Sequence, residues 1–433
     1  MPPKSWLNIP RGSHFSLANI PFGIISHPAL TSPHPAIAIG DQALDLQLFT
    51  AHNGFRHLST IQPHSAVFSS PTLNAFAALG RPLHSVVRRY IQSVLLADTP
   101  YPDVLRDNAA ARAACLVALG GAGLRTHLPM RIGDYTDFFA GMNHARNCGV
   151  LFRGPANALQ PNYKHMPVAH HGRASSVVVS GTPVRRPRGQ ILRDPAADVK
   201  APVLAPCRRL DMELELAAFV CRANDMGEPV AVDDAAAHLF GLVLMNDWSA
   251  RDVQAWEYVP LGPFNAKNFG TSVSAWVVLM EALEPFRAPG LDSDVAVLPY
   301  LAEKEARSMY DIRLQVDLTT EAGGTTTITK GTARDLLFSF PQMVAHHTVS
   351  GCPLNVGDLL GSGTISGTDP DSCGSLLEQN QGGKRRIELS GGESRLFLED
   401  GDRVTMTGVC GDDEDGLVGF GECTGHILPA VTG

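Results

Sequence analysis

Long apolar runs are missing from this chain. No stretch reaches the roughly 18 consecutive apolar residues that a membrane-spanning helix requires, so no membrane partner is expected. The opening residues MPPKSWLNIPRGSHFSL lack the apolar block and small-residue cleavage site of a secretory leader. Basic clusters are missing as well. Thirty-five Lys and Arg stand against 43 Asp and Glu, giving a net charge of −8, and no basic stripe is interleaved with aromatics. Nucleic acid is therefore not an expected partner. Cysteine occurs eight times but never as C-x-x-C. That argues against a disulfide framework or a zinc ribbon and for free thiols in a reducing, cytoplasmic compartment. There is no G-x-S-x-G elbow, no H-E-x-x-H, no Walker A lysine motif and no complete G-x-G-x-x-G. The common serine-hydrolase, zinc-protease and nucleotide readings fall away with them.

What is present is a chain of short, turn-bounded apolar segments, rich in glycine (41) and proline (31). This composition predicts a mainly β, strand-rich α+β protein. Within 1–128, PFGIISH and HPAIAIGDQALDL read as strands joined at Gly40-Asp41. Leu83, Val86, Val87, Tyr90, Ile91, Val94 and Leu95 have the spacing of one amphipathic core helix. The Ala-rich stretch 101–128 reads as a connector, with a boundary near Pro129. Residues 129–433 read as a larger domain of strands: SSVVVSG, MELELAAFV, FGLVLMND, VSAWVVLM, DIRLQVDL, TTTITKG, SRLFLED and RVTMTGV. A helix over 335–347 is expected to be kinked or interrupted by Pro341. The acidic turn GDDEDG lacks the ligand spacing of a calcium loop and reads as a solvated turn.

Chemistry is suggested by three acidic segments. In MELEL, alternation places Leu214 and Leu216 on one strand face and Glu213 and Glu215 on the other, roughly 7 Å apart. A solvated face accounts for an isolated E-L-E. The run onward into AAFVC points to the interior, where carboxylates need a cation or a proton. In GLVLMNDWSARD an apolar strand ends at Asp247. In IGDYTDFFAGMNHARN, a helix starting near Asp137 would put His144 two turns on and on the same face. Asp137, Glu213, Glu215 and Asp247 form an all-oxygen donor set, which suits Ca²⁺ or Mg²⁺ rather than zinc. Arg251 and Lys267 lie close enough in sequence to balance the excess negative charge.

At these segments the chain resembles the fumarylacetoacetase family. The resemblance runs from SWLNIP to GFGECTGHILPA and is carried most strongly by IGDYTDF, HGRASSVVVSGTPVRRPRGQ, LDMELE, LMNDWSARDVQAWEYVPLGPF and GTISGTDPDSCGSLLE. It implies a small N-terminal SH3-like barrel, a larger β-roll domain, and a homodimer. It implies metal binding at Asp137, Glu213, Glu215 and Asp247, with a second, structural cation near Lys267 and Thr271. His144 matches the general base and Glu378 its carboxylate partner. Arg251, Gln254 and Lys267 match groups that stabilise an oxyanion. Arg153, Tyr258 and Thr364 match substrate contacts. Two substrate-contact tyrosines of the family are replaced, by Phe139 and His170.

The activity this implies is hydrolysis of a carbon–carbon bond in a 1,3-diketone acid, with fumarylacetoacetate the simplest substrate. The two replaced tyrosines leave open a relative acting on a bulkier or aromatic acyl substrate. A decarboxylase or tautomerase on the same frame is a further alternative, which the pairing of His144 with Glu378 argues against. A metal-stabilised scaffold without activity would leave the whole charged set idle.

Overall fold

The computed structural model describes residues 4–413 and 416–432. Glu414 and Asp415, within the acidic turn, lie outside the described residues. The strand-rich α+β class expected from the sequence is the one observed, with mixed parallel and antiparallel sheets.

The main sheet begins in the N-terminal part. Strands Phe22–His27, Leu30–Ile39 and Gln42–Asp45 form an antiparallel meander, and helix Arg81–Leu95 turns Val87, Tyr90, Ile91, Val94 and Leu95 into the core beneath it. Each of these fully buried side chains contributes about 1.5–3 kcal/mol. The stretch 101–128 is not a bare connector. Leu116–Ala118 pairs with Gln42–Asp45, and Arg125–His127 pairs with Phe22–His27. Three-residue segments join an existing sheet even where local composition favours helix, because pairing and burial outweigh intrinsic preference.

The same sheet continues into the larger part, because Phe22 pairs with Val277 and Gly23 with Trp276. From there the order is Trp276–Leu279, Leu239–Asp247, Leu214–Val220, Leu359–Gly361, Tyr135–Phe138 and Ala169–His171. Its central strands, Leu214–Val220 and Leu239–Asp247, are buried along their whole length. A second sheet of five strands carries Thr325–Thr332, Arg313–Thr319, Arg403–Cys410, Val418–Leu428 and Val184–Arg185.

Three local expectations are corrected. Pro341 does not kink a helix: the helix spans Phe340–Thr348, Pro341 lies in its first turn, and Ser339 caps it in a capping box with Gln342. Proline is tolerated there because the first-turn N–H has no intrahelical acceptor. SRLFLED is a strand only at Ser394–Arg395. The IGDYTDF segment does not start a helix at Asp137. Tyr135–Phe138 is a buried strand, parallel to Leu359–Gly361 and antiparallel to Ala169–His171, and the helix begins at Met142.

Candidate active site

The strand ends of the main sheet place the acidic residues together. Glu215 and Asp247 come from the neighbouring strands Leu214–Val220 and Leu239–Asp247, Glu213 immediately precedes the first of these, and Asp137 comes from Tyr135–Phe138. All four are buried. One oxygen from each of Glu213, Glu215 and Asp247 lies within 4.8 Å of the others. Gly361 forms the floor between Asp137 and Glu215: a Cβ there would sit 2.9 Å from Asp137 Oδ1 and 3.3 Å from Glu215 Oε2. Any side chain at that position would displace a carboxylate.

Two side-chain cations close the cluster. Lys267 Nζ bridges Glu213 and Asp247. Arg251 donates from Nη2 to Glu213 Oε1 at 2.7 Å and from Nε to Asp211 Oδ2 at 2.8 Å. Arg251 and Gln254 sit on a helix, Arg251–Glu257. Arg251 Nη1 donates to Gln254 Oε1 at 3.1 Å, which leaves the amide NH₂ of Gln254 as a donor at the cavity wall. Thr271 is buried opposite Asp247 in the adjacent strand.

His144 is the third residue of helix Met142–Arg153. That helix can start where it does because Gly141 has no side chain, since a Cβ there would lie 2.0 Å from the carbonyl oxygen of Thr364. His144 Nδ1 is 2.7 Å from Glu378 Oε2, and Nε2 is 3.5 Å from Glu213 Oε1. Glu378, on the short helix Leu376–Gln379, is held by Asn147 Nδ2 at 2.9 Å and by the hydroxyls of Ser366 and Ser375 at 3.0 and 2.7 Å. Burial works against its charge, yet His144 and these donors hold its carboxyl below the ordinary range. Burial likewise disfavours an imidazolium at His144, but Cys148, Glu378 and Glu213 around the ring lift its pKa well above the usual value.

The acid cluster itself is out of electrostatic balance. Burial opposes ionisation of Glu213, but Arg251, Lys267 and His144 keep it well below its usual pKa. For Glu215, burial together with Asp137, Asp247 and Glu213 outweighs the pull of Lys267 and pushes it well above. Burial, against the pull of Lys267 and with the push of Asp137 and Glu213, raises Asp247 to about 8. Asp137 Oδ1 and Glu215 Oε1 are buried without a hydrogen-bond partner. Two partnerless buried carboxylate oxygens amid like charges are what a hard divalent cation satisfies, so the donor set fits one.

Asp137, Glu213, Glu215, His144, Arg251 and Lys267 line one cavity of about 480 Å³. Phe139, Arg153, His170, Tyr258 and Thr364 are on its wall as well. The Phe139 ring meets the His144 ring edge-on at 5.5 Å between centroids. Arg153 is exposed at the rim, with its guanidinium donating to the carbonyls of Asn157 and Ala158 at 3.1 and 2.8 Å. His170 Nε2 lies 3.1 Å from Asp137 Oδ2.

Sequence reasoning missed Asp211. It is wholly buried and accepts from Arg251 and from the backbone N–H of Leu376 and Leu377, at 2.8 and 3.0 Å, tying Arg251 to the helix that bears Glu378. The L-D-M-E-L-E alternation was its only trace, since Asp211 has the same strand parity as the two glutamates.

Fold and site together present an enzyme of hydrolase type, with a buried histidine–carboxylate pair facing a carboxylate cluster whose donors fit a dication. Residues 135–427 match the model described as fumarylacetoacetate (FAA) hydrolase C-terminal, and residues 18–129 the one described as fumarylacetoacetase N-terminal. The chain belongs to the fumarylacetoacetate hydrolase family. It is 61% identical over 429 residues to a fumarylacetoacetase of Aspergillus fumigatus and 62% identical over 429 residues to that of Emericella nidulans, covering 99% of both chains in each case. It is 46% identical to the fumarylacetoacetase of Homo sapiens over 432 residues, again across 99% of each. Among solved structures, the fumarylacetoacetate hydrolase of Exiguobacterium antarcticum shares the fold. Its TM-score is 0.52 at 14% identity, covering 95% of this chain and 99% of that one. Among the described residues, no helix is long and apolar enough to cross a membrane.

Proposed function

We propose that this chain hydrolyses fumarylacetoacetate to fumarate and acetoacetate, using a divalent cation held by Asp137, Glu213, Glu215 and Asp247. The observation that carries this reading is the His144–Glu378 couple, whose imidazole Nε2 is turned toward the carboxylate cluster across one cavity. A bound dication would supply Lewis-acid polarisation of the diketone oxygens, for which an all-carboxylate set suits Ca²⁺ or Mg²⁺.

The chain's own residues supply the rest. Glu378 fixes Nδ1–H, so Nε2 is the nitrogen that takes a proton from water. The attacked carbonyl carbon becomes tetrahedral, and its developing negative charge faces Arg251, Lys267 and the free amide of Gln254. Collapse breaks the carbon–carbon bond, and the electron pair leaves as the enolate of the acetoacetate half, which is then protonated. Thr364 and Tyr258 hold the acyl half. Arg153 swings from the Asn157–Ala158 carbonyls to take its distal carboxylate in a bidentate fork. A second, structural cation would lie beside Asp247, in the neighbourhood of Lys267 and Thr271. The division into residues 1–128 and a catalytic unit 129–433 is part of this reading, as are a homodimer and a cytoplasmic location. These rest on the family resemblance and, for the location, on eight free thiols.

The test is to incubate the purified chain with fumarylacetoacetate, follow loss of the diketone absorbance, and repeat after chelation and metal add-back. Turnover that survives complete metal removal would contradict the cation's role. The ring of Phe139, flanked by the apolar Ala145, Val168 and Leu377, favours a second reading with an aromatic or bulkier acyl group. Stoichiometric metal with no turnover of fumarylacetoacetate would select it.

A further inference from the structure

Asp137 and His170 are directly opposite each other in the antiparallel pair of Tyr135–Phe138 with Ala169–His171. Opposed residues of a strand pair project to the same face, so the backbone itself, not a loop, fixes this imidazole beside this carboxylate. One ligating atom each from Asp137, His170 and Asp247 lies within 4.8 Å of the other two. His170 Nδ1 faces the carbonyl oxygen of His171 at 3.4 Å. A carbonyl only accepts, so the hydrogen of the neutral ring belongs on Nδ1, and Nε2 turns its lone pair on Asp137 Oδ2, 3.1 Å away. In the metal-free chain a proton on Nε2 holds this pair together, and a dication that displaces that proton meets both lone pairs at once. The arrangement, a ligating nitrogen whose other ring N–H is tied to a backbone carbonyl, is that of metal-bound histidines. The other oxygen of Asp137 is buried and partnerless, so this carboxylate has acceptor capacity on both sides.

We propose that His170 is a direct ligand of the active-site cation, which makes the centre a mixed nitrogen–oxygen site that holds a first-row transition dication such as Mn²⁺ in preference to Ca²⁺ or Mg²⁺. Imidazole adds little for Ca²⁺ and Mg²⁺, which take oxygen, and much for the transition series. The inference rests on the reading that the carboxylate cluster binds a dication, and goes beyond it by naming the ligand that selects which one.

The experiment uses the full chain, stripped with chelator and reloaded with Mn²⁺, with pulsed EPR as the readout. The expected result is one Mn²⁺ per chain with a ¹⁴N modulation that moves to ¹⁵N frequencies in protein labelled with [¹⁵N]histidine. The modulation is lost in His170→Gln and kept in His144→Ala. In competition titrations, His170→Gln lowers the preference for Mn²⁺ over Ca²⁺ by at least about tenfold. Bound Mn²⁺ without nitrogen modulation in the unaltered protein, or a modulation that survives His170→Gln, overturns the assignment. A chain that binds no dication at all overturns the cation reading beneath it, so the two failures are told apart. Because the first arm needs no variant, misfolding of His170→Gln leaves the test intact.

Discussion

Asp211 and Arg251 form a buried ion pair at 2.8 Å, and the same carboxylate receives the first backbone N–H groups of the helix that carries Glu378. One side chain thus sets the position of the guanidinium proposed to face the oxyanion and of the carboxylate proposed to orient the base. Replacing Asp211 by Asn puts an amide NH₂ against donors and leaves Arg251 short of a counter-charge. The expected outcome is a fall in kcat of about 10²-fold or more, the cost of misplacing groups that act only in the transition state, with KM little changed. Steady-state kinetics checks it.

His144→Ala removes the proposed base without touching the carboxylates. Turnover should fall by about 10²–10⁴-fold, with metal content per chain unchanged. Metal analysis beside the rate assay distinguishes this from a collapse of the site. A near-normal rate would remove His144 from the reaction.

Glu215→Gln takes one charge from the cluster and should weaken dication binding together with activity. Excess metal should restore part of the rate, because the ligand lost is one of several. Calorimetric titration of the stripped protein gives the affinity directly.

The metal-free protein should become less stable as pH rises. Asp247 has its pKa raised from 3.8 to about 8, and Glu215 moves the same way. The folded metal-free chain therefore holds protons that the unfolded chain releases. That stabilisation is fully present below pH 3.8 and is lost as pH rises through about 8. Dication binding expels those protons, so its affinity should increase over the same interval. Thermal melts of the stripped protein between pH 5 and pH 9, with and without metal, should show the metal-induced rise in Tm growing with pH.

Phe139→Tyr places a phenolic hydroxyl on the cavity wall beside His144. One hydrogen bond of about 1 kcal/mol corresponds to a fall in KM for fumarylacetoacetate of roughly fivefold. An unchanged KM would show that this wall does not touch the substrate.

The parts of the site legible in the sequence are those set by local alternation. Glu213 and Glu215 share a face because a strand has period two, and their burial follows from the apolar residues after them. Asp137 was placed on the wrong element because Tyr-Thr-Asp-Phe is too short for periodicity to decide. Pairing with Leu359–Gly361, from the far end of the chain, makes it a strand. Asp211 escaped notice for a related reason: its partners, Arg251, Leu376 and Leu377, come from segments that no local pattern links. The place of His170 depended on strand register, which only the folded sheet reveals.

The pairing of Phe22 with Val277 has a consequence for anyone who divides this chain in two. The strand Trp276–Leu279 borders the one that ends in Asp247. Expressing residues 129–433 alone would strip Trp276–Leu279 of its outer neighbour and present unpaired N–H and C=O groups as a template for other chains. The N-terminal segment is a guard against aggregation for residues 129–433, and separating them should yield insoluble material.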